Sequence, residues 1–593
     1  MNSAVLLGTN AIQIEELNEK IMRMTHLSKH REIDDEGYIL HLQPNASYSA
    51  VVDLQDDYDP YFYHHNNKTY IICFYGELYN SKSLIDELIL AGYTLKNHSD
   101  IEVVLLSFIE WKEECLHKLN GVFSFVIDDG HKLFLARDPL GVKPLFYFED
   151  RHVLVVSNQI KSILAYQNEA VVDKEGIKEL LGLGPSMTPG KTIYKNIYSL
   201  RPAHYMYYSE HMDMTRYCFL KDQIHEDTFK DTVNTIKSLV EESTVSMLDE
   251  DICLMLSGGL DSTILTAIAS SKNKNIDTFS VSYSGQKDYF TPYDYQTSMD
   301  DEYIEDAIEL YGCTHQEITL SEIDLVNGLK EALVKRDYPG MADIDVSLML
   351  FTKEIANKHT ICLSGECADE LFGGYPWFYK KELYNLPHFP WMKELDYRLS
   401  LLNKDMEDLH IKDYIIERYN QTLSEMTTHN KSKQIMYLNL EWFMQTLLTR
   451  CETMSTHNLK VRVPFASYKL AEYLYNIPFD FIMYNNEEKG LLREAFKDVL
   501  PQSILHRKKN PYPKTHSPIY KTLISHLLLE SLKDTDNILL KLFDIDKLNT
   551  LILTQGDAMK YPWYGQLMMG PQFMAYLYSI YLWGKIYHIK LEL

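Results

Sequence analysis

Ile252-Cys-Leu-Met-Leu256 runs directly into Ser257-Gly-Gly-Leu-Asp-Ser262, and helical periodicity follows from Thr263. The short apolar run reads as a buried strand, and the glycine pair lets backbone approach an anion closely. Hydroxyls at Ser257 and Ser262 flank the turn, with the amino end of a helix behind it. Strand, loop and helix together form a cradle for phosphate oxygens. The loop is not GxxxxGK[ST] and lacks that motif's lysine, which argues against a kinase or GTPase-type site.

Two further buried-strand candidates, Thr278-Phe-Ser-Val-Ser-Tyr283 and Thr360-Ile-Cys-Leu363, are separated by helical segments, as a parallel doubly wound sheet requires. A helix is expected over 228–247, and the chain beyond about residue 380 reads as mostly helical. Upstream the pattern is β-rich, with runs at 69–74, 122–127, 132–136, 144–147 and 152–157, and a helix over 81–91. The expected architecture is an α+β sandwich over residues 1–210 and an α/β domain with a parallel sheet and helical extension over 211–593.

With 58 Lys and Arg against 84 Asp and Glu, the net charge of −26 opposes nucleic acid and anionic membranes as partners. Anionic substrates then need a local basic patch, for which Arg507-Lys-Lys509 and Lys514 are the candidates. No apolar run reaches the ~20 residues that span a bilayer, and the opening residues lack a basic n-region, so a cytoplasmic protein is expected. Eight cysteines without CxxC spacing speak against a zinc site or disulfide framework.

Further motifs follow in order: Ser364-Gly-Glu-Cys-Ala-Asp-Glu-Leu-Phe-Gly-Gly-Tyr375, Val461-Arg-Val-Pro-Phe465, Glu488-Lys-Gly-Leu-Leu-Arg493 and Arg507-Lys-Lys-Asn-Pro-Tyr-Pro-Lys-Thr-His516. SGGxDS is the signature of the ATP pyrophosphatases, and the whole set resembles the glutamine-hydrolysing asparagine synthetases, the last block most like members from Firmicutes. The resemblance implies a class II amidotransferase-like domain of the Ntn type ahead of an ATP-pyrophosphatase domain. It also implies a ligase that uses ATP and Mg2+ to adenylate a carboxylate and then joins it to an amine or ammonia. Matched positions put Leu256, Ser257, Gly258, Gly259, Asp261, Ser262, Val281, Ser364 and Gly365 around ATP and pyrophosphate, and Asp261 and Asp369 at the metal. Glu366 is the expected base and Lys489 the cation that stabilises developing charge, with Asp343, Asp345 and Tyr375 near the substrate. Relatives also suggest a homodimer.

The amino-terminal half departs from the family pattern. Asn2 stands at the nucleophilic cysteine, Tyr48 at a carboxylate-binding arginine and Tyr75 at the oxyanion-donating asparagine, while HRGPD becomes His30-Arg-Glu-Ile-Asp34. Gly76, Glu77 and Asp100 keep their family identities without supplying a nucleophile. This predicts a glutaminase-inactive domain and a ligase fed by free ammonia or another amine, as in β-lactam synthetases and lasso-peptide cyclases, with a partner enzyme supplying substrate or ammonia. An ammonia-dependent synthetase acting on aspartate, an intramolecular lactam or peptide cyclase, and an idle binding protein are the competing readings. The segment Leu447-Leu-Thr-Arg-Cys-Glu-Thr-Met-Ser455 differs from the basic LLDRKDRMSM-like stretch of relatives, which points away from plain aspartate.

Overall fold

The computed structural model describes residues 2–8, 19–24, 37–38, 41–43, 46–52, 60–150, 153–209, 211–273, 275–290, 298–456 and 458–593. The altered segment at 30–34 lies outside them. The chain divides into two compact units, one of residues 1–176, 188–220 and 590–593, the other of 177–187 and 221–589.

The first unit holds two antiparallel sheets. One runs Ile197–Ser199, Phe146–Asp150, Val153–Ser157, Asn2–Gly8, Ala46–Val52 and Gly37–Tyr38, with His41–Gln43 also paired to Ala46–Val52. The other runs Met212–Arg216, His204–Tyr208, Leu133–Arg137, Gly121–Asp128, Lys68–Leu78 and Tyr61–His65. Period-two alternation splits strand Lys68–Leu78 between two cores. Ile71 and Cys73 join Leu154 and Val156 of the opposite sheet, while Ile72 and Phe74 pack with Leu84, Leu88 and Val104 of the helices Ser81–Leu90 and Asp100–Trp111. The unit is therefore a sandwich of two sheets, one covered by helices. The strand expected at 144–147 begins at Phe146 instead. Pro144 has no N–H for a ladder, and its carbonyl accepts from the Ser124 hydroxyl at 3.0 Å.

The second unit is built on five parallel strands: β1 (Ile252–Met255), β2 (Asp277–Tyr283), β3 (Thr314–Leu320), β4 (Ile361–Leu363) and β5 (Lys460–Arg462), in the order β3-β2-β1-β4-β5. The expected parallel sheet is present, with β3 and β5 added at its edges. Helices that position the site are α1 (Phe229–Ser246), α2 (Leu260–Lys272), α3 (Asp343–Ala356), α4 (Ala368–Phe372), α5 (Met444–Met454), α6 (Gly490–Phe496) and α7 (Pro571–Ile586). α1 is capped by Thr228, whose hydroxyl accepts from Asp231 N. β1 leads into α2 and β4 into α4, so the loops after both adjacent strands open at the carboxyl edge of the sheet, where ligands bind in open α/β folds.

Residues 177–187 belong with the second unit although they precede the expected boundary at 210. The Arg398 guanidinium holds them, donating to the carbonyls of Leu181 at 3.1 Å, Gly184 at 2.9 Å and Trp563 at 2.8 Å. Periodicity is blind to such long-range bonds. Among the described residues no helix is long and apolar enough to cross a membrane.

Candidate functional site

After β1 the chain turns at Ser257 to Gly259 and enters α2. Leu256 N donates to Phe279 O of β2 at 2.8 Å, which seats the loop on the sheet. Ser257 N donates to the Ser262 hydroxyl at 3.2 Å, and the two serine hydroxyls lie 3.2 Å apart, closing the turn. Gly258 has φ +63°, and a Cβ there would meet Ile304 N at 2.9 Å, so another residue would be strained and crowded. Arg507 supports the loop from behind: it donates to Gly258 O at 2.7 Å, pairs with Asp300 and stacks over Tyr303 at 3.9 Å. Its charge is thus spent partly on holding the cradle.

The β4–α4 loop packs against this cradle. A Cβ on Gly365 would lie 3.0 Å from Ser262 N and 3.2 Å from Asp261 Cβ, so the two loops are as close as glycine permits. This closeness brings Asp261 and Asp369 to one ammonium. Lys489 Nζ lies 2.5 Å from Asp261 Oδ2 and 2.6 Å from Asp369 Oδ1, and Lys509 Nζ lies 2.8 Å from Asp369 Oδ2. Burial works to lower the Lys489 pKa, but the two carboxylates outweigh it and hold the ammonium above its ordinary value. Burial likewise opposes ionisation of Asp369, yet Lys489 and Lys509 bring it down to about 2. For Asp261 burial prevails and raises the carboxyl, with Lys489 acting in the opposite direction.

Glu366, in the loop just before α4, pairs with Arg450 of α5 at 2.6 Å. Arg450 is 2% exposed and sits 4.9 Å over the Tyr512 ring. Burial acts against its charge, and Glu366 more than restores it, so its pKa is raised. Glu370 is buried beside Asp369, which together with desolvation pushes its carboxyl up to about 8 against the hydrogen bond donated by the Tyr375 hydroxyl at 2.7 Å.

One cavity joins these groups. It is lined by Leu256, Ser257, Gly259, Asp261, Ser262, Val281, Ser364, Gly365, Glu366, Asp369, Tyr375 and Lys489 among the residues expected from sequence. Gly258 lies within the same turn, held by Arg507. Of the basic candidates, Arg507, Lys508 and Lys509 line the cavity. Lys514 is not in its lining; burial lowers its pKa, with Asp343 acting in the opposite direction.

Asp343 and Asp345, in the first turn of α3, do not line the cavity among the described residues; Met341 reaches it instead. Asp345 Oδ2 accepts from Met341 N at 2.8 Å and lies 3.4 Å from the Arg336 guanidinium. Gln572 Nε2 of α7 donates to Asp343 at 3.3 Å. Burial pushes the Asp343 carboxyl up to about 7. Because this folded value exceeds the unfolded 3.8, its contribution to stability is complete below pH 4 and is lost as pH rises through 7, by at most about 4 kcal/mol. Asp343→Asn is expected to flatten the loss of Tm between pH 5 and 7.5, and an unchanged slope would count against this.

Sequence reading did not single out Arg450 or Glu370. Arg450 was visible only as part of the altered 447–455 segment, and its partner Glu366 lies 84 residues away. Among the described residues no group of three or more His, Cys, Asp or Glu is arranged to hold a metal. The two carboxylates Asp261 and Asp369 nonetheless suit a hard divalent cation, and Asp261 Oδ1 is buried with no hydrogen-bond partner in the described structure. In the first unit, Tyr75 lies within strand Lys68–Leu78 opposite Ser124, with Lys143 Nζ 4.7 Å over its ring. Asp100 accepts from Leu78 N at 2.8 Å, a scaffold role.

Residues 235–577 match the family described as asparagine synthase, and residues 6–218 match the glutamine amidotransferase domain family. The chain is 41% identical over 563 residues to asparagine synthetase [glutamine-hydrolyzing] 3 of Bacillus subtilis, covering 92% of this chain and 91% of that one. It is 27% identical to asparagine synthetase [glutamine-hydrolyzing] 1 of the same organism, covering 84% of each. Asparagine synthetase B [glutamine-hydrolyzing] of Escherichia coli is 25% identical, covering 84% of this chain and 79% of the relative. With its pyrophosphate loop, paired carboxylates and buried lysine in one cavity, the chain belongs to the asparagine synthase family of ATP-dependent, amide-forming ligases.

Proposed function

We propose that the chain adenylates a carboxylic acid at the 257–262 loop, releases pyrophosphate, and forms an amide with ammonia or another amine that its own amino-terminal half does not produce. The observation that carries the first part is the convergence of Asp261, Asp369 and Lys489 within 2.6 Å contacts in the cavity that Glu366 and Arg450 also line. The acid's oxygen attacks the α-phosphorus of ATP, and pyrophosphate leaves. The amine then attacks the acyl carbon, and AMP leaves with the acid's oxygen. Lys489 neutralises charge on the phosphates and on the tetrahedral oxygen. Glu366 accepts the proton the amine loses, and Arg450 positions that carboxylate. Leu256 and Val281 face the adenine, with Ser257, Gly258, Gly259, Ser262, Ser364 and Gly365 about the phosphates. Asp261 and Asp369 would hold Mg2+, which when bound would screen pyrophosphate charge. Tyr375 contacts the substrate, while Asp343 and Asp345 shape its pocket from behind Met341.

Independence from glutamine rests on residue types. The first 72 residues contain no cysteine, and Cys73 is 4% exposed inside a strand. Tyr48 and Tyr75 replace the clamp and the oxyanion donor of the resembled glutaminases. We propose a glutaminase-inactive Ntn-type domain over 1–210, a synthetase domain over 211–593, a cytoplasmic homodimer, and a partner enzyme supplying substrate or ammonia.

With ammonium chloride, an active acid and ATP, amide product and AMP are expected in equal amounts; with glutamine as sole nitrogen source, neither amide nor glutamate is expected. Glutamate release at a rate matching AMP formation would overturn the glutamine-independent reading. Tyr75→Asn alone is expected to restore no glutaminase, since nucleophile and clamp are absent with it.

A further inference from the structure

Glu488 lines the cavity together with Asp261, Asp369 and the basic run Arg507-Lys-Lys509. No proton or charge of the reaction above passes through it, and a carboxylate near pyrophosphate repels that anion. Its bonds supply a reason for its presence. Glu488 Oε1 accepts from the backbone N–H of Lys509 at 2.5 Å and lies 3.8 Å from the Arg493 guanidinium.

Residues 506–517, between the helices Gln502–Leu505 and Pro518–Ser531, belong to no helix or strand, so side chains must fix their course. Arg493 of α6 is 6% exposed and donates to three carbonyls: Nε to Glu488 at 2.8 Å, Nη1 to Leu505 at 2.5 Å and Nη2 to Arg507 at 2.8 Å. With the Glu488 carboxylate on Lys509 N, residues 505, 507 and 509 are all fastened to the Glu488-Lys489 turn. Lys489 stands in that turn at φ +58°, a left-handed conformation uncommon outside glycine, and the Arg493 bond to the Glu488 carbonyl steadies it. The result is two ammoniums on one carboxylate, Lys489 at 2.6 Å from Asp369 Oδ1 and Lys509 at 2.8 Å from Oδ2. Asp369 and the Tyr375 ring, 4.7 Å away, hold the Lys509 ammonium, while Glu488 holds its backbone.

We propose that Glu488 is a positioning residue for the phosphate end of the reaction. By accepting the Lys509 N–H it sets Lys509 opposite Lys489 across Asp369, so that two ammoniums meet the pyrophosphate. The inference rests on the adenylation reading above and adds to it the residue that fixes the spacing of its cations. Glu488 then acts as a hydrogen-bond acceptor, and its negative charge is incidental.

That distinction gives a test by sign. Binding of pyrophosphate with Mg2+ to the full chain, measured by calorimetry, requires neither acid nor amine. Glu488→Gln and Glu488→Met are neutral and similar in size, but only glutamine keeps an oxygen for the Lys509 N–H. Glu488→Gln is expected to bind as tightly as wild type or more tightly, and Glu488→Met about tenfold more weakly, the loss of one charge-assisted contact. Glu488→Ala should weaken binding in the same direction as methionine, and Tm reports that each variant is folded. Lys509→Ala should weaken binding at least as much as Glu488→Met, and the double variant should match Lys509→Ala to within about twofold, because Glu488 acts through that lysine. Methionine binding as tightly as glutamine, or losses that add in the double variant, overturns the inference and leaves adenylation standing. Wild-type protein that binds neither pyrophosphate nor ATP overturns the adenylation reading, and the inference with it.

Discussion

Replacing Lys489 with methionine is expected to lower ATP–pyrophosphate exchange by roughly 10²–10³-fold, the cost of losing one preorganised charge at a developing anion. The lysine is 3% exposed and stands between Asp261 and Asp369, whereas Lys509 pairs with Asp369 alone of the two. Arginine is not a substitute. A Cβ on Gly374 would already lie 2.6 Å from Lys489 Cε, so the larger, planar guanidinium has no room at this point. Lys489→Arg should therefore be nearly as inactive as Lys489→Met. Lys489→Met also leaves two buried carboxylates face to face, and a destabilisation of about 3–5 kcal/mol follows when a buried charge loses its partner. Added Mg2+ should recover part of that stability in Lys489→Met, measured as Tm with and without the metal. An arginine variant retaining most of the exchange rate would refute the packing argument.

The second large effect is on folding alone. Arg398→Ala is expected to destabilise the second unit by at least about 3 kcal/mol, because the carbonyls of Leu181, Gly184 and Trp563 lose a shared donor within the core. The guanidinium also stacks 3.9 Å over Trp563, and that packing goes with it. Arg398→Lys should recover little, since a point charge cannot reach three carbonyls in the geometry of a fork. The residue lies outside the cavity lining, so the folded variant should keep its KM for ATP. Denaturant unfolding followed by Trp fluorescence checks the prediction, and a loss under 1 kcal/mol would contradict it.

The loop at 257–262 was readable because every local signal there agrees: apolar run, paired glycines, flanking hydroxyls and a following helix. Strand β3 was not read as a strand. Thr314–Leu320 is an edge strand with mostly exposed side chains, and Thr-His-Gln-Glu-Ile-Thr-Leu carries too little apolar signal to mark it. β5 has only three residues, and its Val461-Arg-Val-Pro-Phe465 segment read as a motif without an element. At the site, Asp261, Glu366, Asp369 and Lys489 were legible as family positions, but their mutual distances belong to the packing of two loops against α6. Arg450 was hidden because its meaning depends on a partner 84 residues away. Tyr375 was named from its motif, but its packing with Phe443, and that of Phe443 with Tyr564, exists only in the folded chain.

The central claim is that a carboxylate oxygen attacks the α-phosphorus of ATP at the 257–262 loop. The most direct measurement is oxygen transfer: an active acid labelled with 18O in its carboxylate is turned over with ATP and an amine, and the products are weighed by mass spectrometry. The account predicts one 18O in each AMP formed, no label in pyrophosphate, and loss of the labelled AMP in Asp261→Ala. Label appearing in orthophosphate alongside ADP, or labelled AMP formed at the wild-type rate by Asp261→Ala, would contradict it.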